Sequence, residues 1–153
     1  MKFFAPLLVL GLLHQALCGQ IPPAVIPAGV GVNIHFVTGH ARDLDLITNA
    51  GFQFVRMDFS WEATEIKAGV YDWTDYDELT AHLEQRGLRA LYILDYVNGL
   101  YEPMVDARRA VGEPAPEQHV ASPRHPESVA AFARWAAAAA VHFRGRHILW
   151  EIY

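Results

Sequence analysis

The feature that most constrains this chain is a regular exchange between short β-rich apolar runs and amphipathic stretches of helical period. Val30 to Val37, Phe52 to Phe59, Leu88 to Asp95 and His147 to Tyr153 are rich in β-branched, aromatic and leucine side chains, as strands of a buried parallel sheet require. Between them lie three helical segments. Ala41 to Ala50 is closed by Gly51, where a left-handed C-terminal residue costs least. The second helix starts at Thr74, an expected N-cap with Asp77 three positions on, carries Tyr76, Leu79 and Leu83 on one face, and stops at Gly87. The third begins at Pro126, runs through Val129, Phe132, Ala136, Ala139 and Phe143 as its apolar stripe, and ends at Gly145.

The order β-α-β-α-β-α-β predicts an α/β fold with a parallel sheet. An open doubly wound sheet and a (β/α)8 TIM barrel both satisfy it. A dinucleotide-binding sheet fits poorly, because no Gly-x-Gly-x-x-Gly turn follows the first strand; Gly29 and Gly31 sit at its front. The barrel, in its N-terminal half, is the favoured reading. Thirty residues from Tyr96 to His125 lack clear periodicity, and a loop of that length inside a domain is usually functional or mobile.

Composition narrows the function. Of the 153 residues, 52% are apolar and 19% charged, which suits a packed core and not a disordered tail. The formal charge is -5 with no basic run, so the footprint expected for nucleic acid is missing. Residues 1–18 read as a secretory signal peptide: Lys2 precedes an apolar run from Phe3 to Leu13, and Ala16-Leu17-Cys18 has the small-residue pattern of a cleavage site. The run is short for a membrane span, so the expectation is a secreted protein, periplasmic or extracellular, with no membrane attachment after cleavage. Cleavage would also remove Cys18, the one cysteine, and with it disulfides, thiolate catalysis and cysteine metal sites. The domain is then 19–153.

In a barrel, the C-terminal ends of the strands converge on one mouth. The polar residues near those ends are Asn33 and His35, Arg56 and Asp58, Asp95 with Tyr96 and Asn98, and Glu151. Asn33 and His35 either fill the interior with satisfied hydrogen bonds or touch a ligand. An arginine inside an apolar strand must be paired when buried, so Arg56 is either a site residue or the partner of Asp58 or Asp95. Trp61, Tyr96 and Tyr101 are candidate stacking platforms for a sugar ring, with ordinary packing as the other reading, whereas Tyr71 and Trp73 are expected to pin a connection. No histidine pair has metal-ligand spacing, and no cofactor is implied.

Taken together, Gly31-Val32-Asn33-Ile34-His35-Phe36, Gly51 to Trp61 with its Val-Arg-x-Asp-x-x-Trp core, Gly69-Val70-Tyr71-Asp72-Trp73 and Leu149 to Tyr153 resemble clan A glycoside hydrolases. They are most similar to family 39, the β-xylosidases and bacterial exopolysaccharide hydrolases, with family 5 cellulase-like proteins as neighbours. The resemblance implies that Arg56 supports a catalytic nucleophile, with His35, Asn33, Trp61, Asp95, Tyr96 and Asn98 as substrate-binding candidates. It also implies that the acid/base follows strand four in an Asn-Glu-Pro tripeptide beginning where this sequence ends. Glu151, earlier on that strand, is not that acid. With the nucleophile expected on strand seven, the parent would be a retaining β-glycosidase acting on oligo- or polysaccharide, in which two carboxyls lie about 5–5.5 Å apart. The 153-residue chain alone is expected to be inactive, and its open sheet edges favour self-association. The competing function is a carbohydrate-binding or decayed glycosidase-like protein that does not cleave bonds.

Overall fold

Gly51 and Gly87 show how the sequence delimits its helices. Both adopt positive φ, at 86° and 69°. Around Gly51 the amide of Phe52 reaches back to Ile47 O at 3.3 Å and that of Gly51 to Thr48 O at 3.0 Å; around Gly87, Leu88 N bonds Leu83 O and Gly87 N bonds Glu84 O. These paired bonds satisfy the last carbonyls of each helix and release the chain directly into the next strand.

The computed structural model describes residues 29–106 and 118–152, so the expected signal segment 1–18 and the proline-rich stretch to Pro27 lie outside the described residues. The elements are β1 (Gly31–Asn33), α1 (Ala41–Asn49), β2 (Phe54–Ser60), α2 (Trp61–Thr64), α3 (Thr74–Gln85), β3 (Arg89–Asp95), β4 (Met104–Asp106), β5 (Gln118–Val120), α4 (Pro126–His142) and β6 (Leu149–Ile152). Strands β1, β2, β3 and β6 form one parallel sheet in that order, so each strand lies beside its predecessor among the major strands. The expected α/β alternation and parallel pairing are present. No helix among the described residues is long and apolar enough to cross a membrane.

Period-two alternation divides the sheet into two unlike faces. Val55, Met57 and Phe59 of β2, with Ala90, Tyr92 and Leu94 of β3, are buried in one core with Tyr76, Leu79 and Leu83 of α3 and Trp135, Ala139 and Phe143 from the α4 region. Phe59 is its centre. Its ring lies 4.3–5.7 Å from those of Trp73, Tyr76, Tyr92, Trp135, Phe143 and Trp150. The opposite face of β2, carrying Phe54, Arg56, Asp58 and Ser60, is only half-buried. The second strand is therefore not apolar-packed on both sides, as its composition suggested.

Four local expectations change. The first strand spans three residues and not eight; among the described residues it is paired with β2 alone, and one further bond at each end, Gln53 N to Val30 O and Ile34 N to Arg56 O, extends the ladder. Thr74 is the first helical residue of α3 and not its N-cap: Asp72 Oδ1 accepts from both its amide and its hydroxyl, holding the Asp72 carboxyl below its ordinary range. The buried face of α4 runs through Ser128, Ala131, Trp135 and Ala139, while Val129 is half exposed. An alanine-rich helix leaves its apolar direction nearly free, and the large Trp135 indole sets it. Finally, the stretch from Tyr96 to His125 is not featureless, since β4 and β5 pair antiparallel within it.

Candidate functional site

The half-buried face of the sheet gathers the polar strand residues in rows. Asn33, Arg56, Leu91 and Leu149 stand in register across β1, β2, β3 and β6; two residues further on, Asp58, Ile93 and Glu151 form the next row, and Ser60 is paired with Asp95 beyond it. Alternation places these side chains on one face because each is an even number of residues from the last.

Arg56 spans this face. Its Nε donates to Glu151 Oε2 at 2.8 Å and its Nη2 to Oε1 at 2.6 Å, a bidentate pair that bridges β2 and β6 over the intervening β3. The partner is thus Glu151, not Asp58 or Asp95. The guanidinium hydrogen bonds hold the Glu151 carboxyl below its usual range against a smaller opposing effect of burial, and the same pairing raises Arg56. Both side chains keep more than a third of their surface in solvent, at 35% and 40%, so the pair orients more than it stabilises.

Asp58 sits beside this bridge, with the Tyr96 hydroxyl 3.5 Å from its Oδ2. The strand beneath is fixed from the helix side: Tyr76 Oη donates to Asp58 O at 2.8 Å and accepts from Ser60 N at 3.0 Å. Burial is the main reason that the Tyr76 hydroxyl is pushed up to about 12. Asp95 is fully buried; among the described residues neither of its oxygens meets a well-formed hydrogen bond, and Asp58 and Tyr96 both act on its charge. Burial first, and then the charge of Asp58, push its carboxyl up to about 7. Asp95 is therefore not in position to touch a ligand directly.

The sequence candidates separate into two groups. Asn33, His35, Arg56 and Tyr96 are exposed or half-exposed, and Asn33, Arg56 and Tyr96 belong with Asp58 and Glu151 at the polar face. Trp61 and Asn98 do not. The Trp61 indole is fully buried, stacks on Tyr101 at 5.2 Å between centroids and 11° between planes, and donates from Nε1 to Glu65 Oε2. Tyr101 donates to Glu65 Oε1, and Asn98 Nδ2 donates to Glu65 O at 2.9 Å. The expectation that Trp61 is a sugar platform and Asn98 a ligand contact is corrected: both rings and the amide pack around Glu65. The stacking face of Trp61 is already covered by Tyr101.

Glu65 itself was not signalled by the sequence, being one acid in a polar connection. Its buried carboxylate also accepts from Gly69 N, so it ties α2 to the following turn. Tyr71 and Trp73 do pin that connection, stacked on each other at 5.2 Å. Beside Tyr96 a mainly apolar cavity of about 290 Å³ opens between Leu94, Ser122, Pro123, Val129 and Phe132. Among the described residues no group of three or more His, Cys, Asp or Glu is placed to hold a metal ion.

This arrangement of strands recurs in solved enzymes. The fold is shared with glycoside hydrolases. A family 39 glycoside hydrolase from the gut symbiont Bacteroides cellulosilyticus superposes with a TM-score of 0.62 at 24% identity, over 80% of this chain and 24% of that one. A β-galactosidase from the Antarctic haloarchaeon Halorubrum lacusprofundi gives 0.59 at 18% identity, over 80% and 21%. An exo-β-1,4-mannosidase from an Opitutaceae bacterium gives 0.53 at 18%, over 80% and 24%. The chain thus spans about a quarter of the length of these structures. No family model and no curated protein matches the sequence.

Proposed function

We propose that this chain forms the N-terminal half of the (β/α)8 catalytic barrel of a secreted, retaining β-glycosidase acting on oligo- or polysaccharide. One observation carries the reading: the four strands are wound in a single direction, with the helices packed on one face and Arg56, Asp58, Glu151 and Tyr96 gathered towards the C-terminal ends on the other. A doubly wound sheet reverses its strand order and covers both faces. Sites in barrels form where these strand ends meet. The likeness to glycoside hydrolases of several specificities supports a sugar as the ligand class. Secretion rests on the residue pattern of the first eighteen positions.

Within this reading Arg56 is a positioning group held ready by Glu151, and Asn33, His35 and Tyr96 are the accessible contacts for sugar hydroxyls and ring. Neither carboxyl of the two-carboxylate mechanism is assigned to a residue of this sequence. The purified 153-residue chain should therefore release no nitrophenol from aryl β-xylosides, β-galactosides or β-mannosides, while a polypeptide supplying the other half of the barrel restores release. Turnover by the 153-residue chain alone would sink the proposal.

A further inference from the structure

The chain has three asparagines, and the residues that follow them differ: Ile34 after Asn33, Ala50 after Asn49 and Gly99 after Asn98. Asparagine is chemically labile because its side-chain carbonyl carbon lies within reach of the next amide nitrogen, and a glycine leaves that nitrogen unshielded. The backbone does not need Gly99. Among the described glycines it alone has neither a positive φ nor a crowding neighbour: a Cβ there would meet only Glu62 Oε1 at 3.5 Å and Val120 Cγ2 at 3.7 Å, which is ordinary contact. Asn98 is 1% exposed, whereas Gly99 lies at the surface. The Asn98 Oδ1 accepts from Leu100 N at 2.9 Å, a turn that folds the side chain back over the Gly99 peptide. The Gly99 amide itself meets no acceptor among the described residues.

The fold holds this pair back. Asn98 Nδ2, the nitrogen that must leave, donates to Glu65 O at 2.9 Å and to Trp61 O at 3.4 Å. The Asn98 carbonyl accepts from the amides of Tyr101 and Glu102, and Tyr101 Oη reaches Glu65 Oε1 at 2.6 Å, so the turn is clamped to the end of α2. We infer that Asn98-Gly99 is a deamidation site that this clamp keeps closed and that reacts when the clamp opens, irreversibly unlocking the segment next to Tyr96. In the reaction the Gly99 nitrogen attacks Asn98 Cγ and loses its proton to water. The Cγ–Nδ2 bond breaks, Nδ2 takes up a proton and leaves as ammonia, and a five-membered imide closes. Water then adds to either imide carbonyl and opens the ring to aspartate or isoaspartate. Both products exchange a neutral amide for a carboxylate. In the aspartate product one oxygen keeps the Leu100 amide, but the other faces the two carbonyl oxygens that Nδ2 had served, a charge in a dry corner with no donor to meet it.

The site stands apart from the sugar reading and is tested on the 153-residue chain itself. The chain is incubated at mildly alkaline pH, folded and in guanidinium chloride, and conversion at each asparagine is followed by peptide mass spectrometry. In denaturant Asn98 should convert faster than Asn33 and Asn49. In the folded chain it should convert about tenfold more slowly or less, because only the open fraction reacts. Equal rates with and without denaturant overturn the clamp, and an Asn98 that stays intact in denaturant overturns the site.

Variants separate the reactive pair from its clamp. Gly99→Ala should slow conversion in denaturant and leave the unfolding midpoint where it is, since the added methyl group fits. A clear drop in midpoint would mean that the fold needs the glycine, and overturns its reading as a reactive position. Tyr101→Phe removes a donor to Glu65 and should quicken conversion of the folded chain several-fold without altering the rate in denaturant. Folded conversion no faster than wild type overturns the clamp. Should Tyr101→Phe not fold, Asn98→Asp carries this arm: hydrogen exchange should rise over residues 61–72 and 96–102, and protection equal to wild type overturns the unlocking.

Discussion

Two carboxylates in this protein are buried to the same degree and behave in opposite ways. Glu102 and Asp95 are 4% and 0% exposed. Burial acts on both to disfavour charge, yet the Glu102 carboxyl is lowered to about 2 and that of Asp95 is raised to about 7. The difference is their donors. Glu102 accepts from Ser128 Oγ at 2.5 Å, from the amides of Arg124 and His125 at 2.8 and 3.1 Å, and lies 2.9 Å from His125 Nδ1. These groups surround the start of α4, whose free amides and dipole favour a negative charge there. Asp95 has no comparable set of donors, and burial with the nearby Asp58 carboxyl outweighs the lowering effects of Tyr96 and Arg56. Burial alone therefore says nothing about the charge of an acid; what decides it is which groups the fold turns toward it.

The contrast can be broken most severely at Glu102. Glu102→Ala leaves two backbone amides and the Ser128 hydroxyl without their acceptor where α4 begins, and should lower the chemical denaturation midpoint more than substitution of either Asp95 or Glu151. Because its folded carboxyl is lowered, the stability it contributes is complete above pH 4.5 and is lost as pH falls toward 2; a Glu102→Gln variant should flatten that acid limb. An unchanged acid limb would show that the node does not hold a charge.

Asp95 should respond with the reverse sign and a smaller size. Its folded carboxyl is raised, so the stability it contributes is complete below pH 3.8 and disappears as pH rises through about 7. Asp95→Asn should consequently gain on wild type above neutrality, on the order of 1–3 kcal/mol by urea unfolding at pH 8, and gain nothing near pH 4. A variant that is less stable at pH 8 would mean that Asp95 is satisfied in a way its surroundings do not indicate. Smallest of all is Glu151→Gln. Its pair with Arg56 is bidentate but more than a third exposed on both sides, so the expected loss is about 1 kcal/mol or less and should shrink further in high salt. A loss several times larger would make the bridge a structural requirement of the sheet.

Much of the fold was legible in the sequence because the signals are short in range. The Gly51, Gly87 and Gly145 stops, the apolar strand runs and the Pro126 helix start each depend on a few adjacent residues, and each element formed near its expected place. The polar face was legible too, since Arg56 and Asp58 are two apart on β2 and alternation must put them on the same side. Trp61 stayed open between platform and packing for a physical reason. An aromatic ring just past a strand end fits a platform or a core equally well, and only Tyr101 and Trp135, arriving from elsewhere in the chain, decide for the core.

The sequence by itself determined the order of the elements, where helices stop, and which strand residues share a face, because backbone preferences and the periods of helix and strand are local properties. Only the tertiary structure decided that Arg56 joins Glu151, 95 residues away, that Trp61 and Asn98 turn inward, and that the carboxyl of one buried acid is lowered while that of another is raised. Those outcomes follow from desolvation and from the neighbours that non-local packing supplies, and neither is encoded in the residues alongside.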